Sequence, residues 1–165
     1  MNSAISIQEL LDWSHESATF WKAHFDTNPA LLQLACGIDD TPNVQELVRH
    51  IWMAELRWAQ RVAGLPVVPR ADLPTGPLEA LFGFHQQAAQ IVGTLVNDPA
   101  YKWDQTITLE FDWLPPHART ASRRKMLAHG LLHSQRHWAQ LATLVRVAGF
   151  PSNFLGDLIF SQALV

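Results

Sequence analysis

The sequence predicts an all-α chain arranged as a four-helix bundle, and three observations carry that prediction. Four long stretches repeat apolar residues at helical spacing. Strand-like alternation is confined to one short run. Proline and glycine separate the stretches cleanly from one another.

The first stretch, residues 5–25, places Ile7, Leu10, Leu11, Ser14, Ala18, Trp21 and Phe25 on one face, and Asn28-Pro29 closes it. A short apolar piece, residues 30–36, stops at Gly37. The second stretch opens at Thr41 and Pro42, a good N-cap followed by a residue suited to the first helical position. It runs to Val62 through Leu47, Ile51, Ala54 and Trp58, and Gly64 ends it. Residues 64–76 hold three prolines and read as a loop. The third stretch begins around Thr75-Gly76-Pro77 and carries Leu78, Leu81, Phe82, His85, Ala89, Val92 and Val96 up to Asn97-Asp98-Pro99.

Residues 106–111 alternate and suit a short strand or an extended connection. The fourth stretch, residues 120–148, is the longest, and Gly149 and Pro151 terminate it. A tail over residues 154–164 is expected to pack as a small final helix. The loops before and after the third helix are long enough for a crossover, so sequential helices need not be neighbours.

Composition narrows the function classes. The 165 residues suit one domain, residues 1–165, with a core that needs no staple. A formal net charge of -3 argues against a nucleic-acid partner, whose footprint is basic. Only 16% of residues are charged, which argues against disorder. The single cysteine, Cys36, excludes an intramolecular disulfide and reads as an inert thiol. No basic region followed by an apolar run opens the chain, and no apolar run reaches the length of a membrane span. A cytoplasmic protein is expected. Eight histidines and seven tryptophans stand out against this background.

Three of the histidines, His129, His133 and His137, are spaced four residues apart on the fourth helix. Residues at that spacing share a face and can bind one cation. Each step rotates by about 40°, so the outer two diverge by about 80° and one adjacent pair should serve. A third ligand must come from elsewhere, with His50 the best candidate and His85 the other. Imidazole ligands suit zinc or nickel, and three protein ligands leave an open position. His15, His24 and His117 need no special role, and the tryptophans read mainly as core. Glu-x-x-His pairs, HExxH, GxGxxG, a Walker loop and GxSxG are all absent. Asp39, Asp40 and Asp98 sit in turns, where capping explains them.

Two segments carry a family resemblance. They are the run from Leu47 through His50 to Trp58, and His129-Gly130-Leu131-Leu132-His133-Ser134-Gln135-Arg136-His137-Trp138-Ala139-Gln140 followed by Arg146 to Gly149. Together, and in this order along nearly the whole chain, they resemble the DinB/YfiT-like superfamily. The resemblance implies a bundle in up-down-down-up order and one divalent metal, nickel or zinc, on His50, His133 and His137. His129 would lie one turn back, beside the site. One position departs from the family pattern: Trp138 stands where relatives usually place an arginine, which bears on substrate chemistry.

The resemblance also implies a function. Relatives include transferases that use low-molecular-weight thiols, and a coordinated thiol is a nucleophile near neutral pH. The expectation is therefore a thiol-dependent S-transferase acting on a small-molecule electrophile, with His129, His85 and Trp138 as candidate pocket residues. Metal-activated water would instead give a hydrolase. A closed site would give a non-enzymatic metal-binding stress-response protein, and an empty one a dimerising interaction module. Aromatic enrichment fits a homodimer.

Overall fold

The computed structural model describes residues 5–112 and 114–163. Residues 1–4, Trp113, Leu164 and Val165 lie outside them, and with them the last residue of the expected final helix, Leu164.

Four helices form: α1 (Ile7–Thr27), α2 (Val44–Ala63), α3 (Leu78–Val96) and α4 (Arg123–Val147). Each boundary has a local cause. Ser6 and Glu9 form a reciprocal capping box at α1, the Ser6 Oγ accepting from the Glu9 N–H at 3.1 Å. The α2 cap is Asn43 rather than the expected Thr41, its Oδ1 accepting from the Glu46 N–H at 2.9 Å. Thr41 is otherwise engaged, donating its hydroxyl to the Ile38 carbonyl at 2.6 Å. Gly64 ends α2 in the left-handed region at φ 72°, where a Cβ would be strained.

The fourth helix starts later than its sequence suggests. Thr120, Ala121 and Ser122 form strand β2 (Thr120–Ser122), antiparallel to β1 (Thr106–Thr108), with Ile107 opposite Ala121. The pairing partner lies a dozen residues back, outside any helical window, and the threonines favour extended backbone. Ser122 then caps α4 by accepting from the Lys125 N–H at 3.2 Å. The tail is corrected too: only Leu158–Phe160 forms a single 3-10 turn. A segment this short lacks the length to stabilise a helical nucleus, and Gly156 weakens it further. Glu16 holds the tail instead, accepting from the Ser161 hydroxyl at 2.7 Å and from the Gln162 N–H at 3.1 Å.

Side-chain pairs give the helix directions. Ser17 meets Gln135 and Trp21 meets Trp138, so α1 and α4 run parallel. Trp52 meets Phe82 and Glu55 meets His85, so α2 and α3 are parallel as well. His15 meets His85 while Lys22 meets Glu79, which makes α1 and α3 antiparallel. The order is up-down-down-up. The α2–α3 connection must therefore cross the length of the bundle, and Arg49 straps that loop down by donating to the carbonyls of Arg70, Leu73 and Pro74. No helix among the described residues is long and apolar enough to cross a membrane.

The core centres on Trp21, Trp52 and Trp138, all with no exposed surface. Trp138 stacks on Trp21 and meets Trp52 edge-on, both at 5.8 Å between centroids. Burial of rings this large contributes about 2–3 kcal/mol each by area. Their indole N–H groups find no hydrogen-bond partner, so packing rather than polar satisfaction holds this cluster.

Candidate metal centre

The centre lies between α2 and α4, and both helices place it by their periodicity. His50 falls on the second turn of α2, while His133 and His137 occupy one face of α4 a turn apart. The two helices run antiparallel: His50 lies beside His133 and His137, whereas Trp58, two turns on, lies against His129 at 5.0 Å and against Gly130. Gly130 permits that approach. A Cβ there would sit 3.1 Å from the Trp58 Cβ.

One ring nitrogen from each of His50, His133 and His137 lies within 4.8 Å of the other two, a group that could hold a metal ion. His133 Nε2 is 3.3 Å from His50 Nε2 and 3.2 Å from His137 Nε2. Nitrogens bound at about 2.0–2.1 Å to a tetrahedral ion stand about 3.3–3.4 Å apart. Two of the three spacings therefore match those of a coordination sphere.

Proton accounting leads to the same fit. His137 Nδ1 donates to Gln140 Oε1 at 2.8 Å, and its Nε2 accepts from Arg136 Nη2 at 3.1 Å, so that Nε2 carries no hydrogen. A hydrogen between His133 and His137 must then come from His133 Nε2. His50 Nε2 also faces Asp39 Oδ2 at 3.1 Å, a contact that requires a hydrogen on His50 Nε2. Those two hydrogens would collide across the 3.3 Å between His50 and His133. No placement of one proton per neutral ring satisfies all three contacts, while a cation facing the three lone pairs would relieve both contacts between rings and place the Asp39 carboxylate beside a positive charge. His133 Nδ1, moreover, is buried without a partner.

The rings are kept neutral. Burial, followed by His137, His50 and Arg136, pushes His133 down to about 3. Burial also lowers His50, against the opposing pull of Asp39, and lowers His137 with help from Arg136. Neutral imidazole is the form that binds metal.

The centre opens on a cavity of about 650 Å³ whose walls include His50, His133, Trp58 and Phe111. The other sequence candidates part company here. His129 lines this cavity. His85 does not: it is buried between α1, α2 and α3, with Nδ1 2.7 Å from Glu55 Oε2 and Nε2 3.0 Å from His15 Nδ1. Trp138 sits in the tryptophan cluster, fully buried. Sequence reasoning passed over Asp39, Arg136 and Gln140. Gln140 had a signal, as the residue three after a candidate ligand histidine, whereas Asp39 read as an ordinary turn residue. It is one, in left-handed conformation at φ 53°, and that turn brings its carboxylate to His50.

Comparison with known proteins gives one result of substance. No curated protein and no solved structure was matched, but the family model described as the DinB superfamily matches residues 7–141. That stretch takes in the whole of α1, α2 and α3, most of α4, and all three clustered histidines. The chain belongs to the DinB superfamily.

Proposed function

We propose that the protein is a divalent-metal-dependent enzyme that transfers a low-molecular-weight thiol onto a small electrophile, with His50, His133 and His137 as the ligands and zinc or nickel as the ion. One observation carries this reading: three imidazole nitrogens converge, and two of their rings, His50 and His133, line an open cavity of about 650 Å³. A structural site would be closed by a fourth protein ligand, whereas a catalytic one keeps a position for water or substrate. The ion would supply Lewis acidity, lowering the pKa of a coordinated thiol so that the nucleophile exists near neutral pH.

The chain's own residues do the rest. Gln140 fixes the His137 tautomer and ring orientation, as partners behind metal-binding histidines do. His129, kept neutral by burial and by Arg136, faces the cavity and is placed to take the thiol proton. Trp58 holds His129 edge-on and walls the cavity against water. A homodimer in the cytoplasm belongs to the same reading. Val147, Ile159 and Phe160 leave exposed apolar surface of the kind subunit contacts cover, and free Cys36 suits a reducing compartment.

Cobalt-loaded protein tests the reading. Addition of a thiol should produce a thiolate-to-cobalt absorption band, and the metal-loaded protein should accelerate thiol conjugation across a panel of electrophiles. A spectrum unmoved by thiol, azide or imidazole would mark a closed, sequestering site and overturn the enzyme.

A further inference from the structure

We propose that the cavity beside the three histidines binds a carboxylate-bearing small molecule, gripped by the guanidinium groups of Arg57, Arg61 and Arg136. The inference deepens the enzyme reading by naming the substrate class, and rests on it only in placing that carboxylate next to a reacting centre.

Four arginines line the cavity, Arg57, Arg61, Arg70 and Arg136, against one acid, Asp39. Asp39 is already engaged at His50 Nε2. None of the four arginines forms an ion pair with a carboxylate among the described residues. Arg49 and Arg124, outside the cavity, pair with Glu46 and Asp104. Like charges gathered in a partly buried space raise its energy unless an anion joins them. Their mutual effect is visible: burial and Arg57 lower Arg61 to about 10, and burial and Arg70 lower Arg57. Arg57 and Arg61 remain cationic at neutral pH.

The arrangement is also built to receive a ligand. Arg57 Nε is buried with no hydrogen-bond partner. Arg61 donates Nη1 to the Arg57 carbonyl at 3.2 Å, and its guanidinium lies 5.2 Å from the Trp58 ring and 4.8 Å from the Phe111 ring. Two aromatic faces and a main-chain carbonyl thus hold this cation without neutralising it. Planar guanidinium forks match a carboxylate's two oxygens, and the aromatic walls suit an apolar body attached to it. About 650 Å³ accommodates a small molecule rather than a polymer.

Arg136 couples this grip to the metal centre. Its Nη2 occupies the His137 Nε2 lone pair, which a coordinated ion also needs. Metal uptake therefore frees Arg136 into the cavity, and the anion should bind more tightly to loaded protein. Coupling of this kind is typically about 5–150-fold.

Calorimetric titration of the full-length chain with benzoate, neutral benzamide and inorganic phosphate, with and without zinc, tests the proposal. Benzoate should bind, benzamide should not, and zinc should tighten benzoate. Arg57→Gln and Arg61→Gln should each weaken benzoate about 10-fold or more, the worth of a charge-assisted hydrogen bond. Arg57→Lys should recover part of the loss, and Arg146→Gln, at the far end of α4, should change nothing. Equal binding of benzamide, indifference to Arg57→Gln in protein that keeps its thermal transition, or tighter phosphate than benzoate would each overturn the proposal. Zinc content measured in the same samples separates the two readings. Arginine-dependent benzoate binding by a chain that takes up no zinc would sink the metal enzyme alone, and zinc uptake without benzoate binding would sink this inference alone.

Discussion

The molecule contains two histidine clusters, and they solve opposite problems. Between α1, α2 and α3, His15, His85 and Ser14 gather around Glu55, whose two oxygens accept from His85 Nδ1 at 2.7 Å and from the Ser14 hydroxyl at 3.3 Å. Each proton there has an acceptor, and the cluster is closed on itself. Between α2 and α4, His50, His133 and His137 turn their Nε2 atoms toward one another, and Asp39 reaches only the edge of the group. That cluster could hold a metal ion. The difference teaches that a buried histidine is read by what faces its second nitrogen. Where one proton per ring satisfies every contact, as it does for His15 and His85, the cluster is structural; where it cannot, as among His50, His133 and His137, the rings are candidate metal ligands.

The strongest way to break the comparison is to exchange the fates of His133 and His85. His133→Ala should abolish zinc and nickel uptake, a loss beyond the about 10–100-fold that removal of a supporting partner costs. His129→Ala and His85→Ala should keep the ion. Elemental analysis with competition against a chromophoric chelator reads the outcome, and metal lost with His85→Ala would mean the assignment of roles is reversed. Glu55→Ala should do the converse. It strands the Ser14 hydroxyl and the His85 N–H, at about 1–3 kcal/mol for each buried donor, seen in chemical denaturation with metal affinity retained.

Two smaller effects sharpen the contrast. Gln140→Leu removes the acceptor that sets the His137 tautomer, and metal affinity should fall by about 10–100-fold without a comparable loss of fold stability. Gly130→Ala forces a methyl against Trp58 at 3.1 Å. Overpacking of this sort costs about 1–3 kcal/mol, and the displaced ring should alter tryptophan fluorescence.

How much of this the sequence displayed follows from the range of each interaction. The four helices were legible because a 3.6-residue period sustained over some twenty positions outweighs local ambiguity. Their starts were not: Asn43 displaced Thr41 as a cap because Thr41 had turned to Ile38, a choice made by the loop. Residues 120–122 read as helix because their strand partner is distant in sequence. His133 and His137 announced themselves by spacing, and His50 by the family motif, yet spacing alone left His50 and His85 as rivals. Only the packing separates them, giving His85 a buried glutamate and one imidazole, and His50 two imidazoles with Asp39 at the edge. Arg57, Arg61 and Arg70 carried no signal at all, since an arginine on an amphipathic helix or in a loop normally faces water.

The smallest effect, and the one specific to proton binding, is the pH dependence of the metal-free protein. His133 titrates at about 3 when folded, because burial and the neighbouring rings penalise its charge, and near 6.5 when unfolded. Between those values the unfolded chain binds a proton that the folded chain refuses. Stability therefore rises with pH across this window, is fully present above about 6.5, and is lost as pH falls toward 3. His50, His137, His129 and His15 are shifted in the same direction and add to the slope. Thermal melts of chelator-treated protein from pH 4 to 7 should thus slope upward. His133→Ala should reduce that slope by up to about one proton. A slope unchanged in His133→Ala, in protein that still folds, would mean the ring is charged in the folded state and that the α2–α4 cluster closes on protons, as the Glu55 cluster does, rather than on a metal.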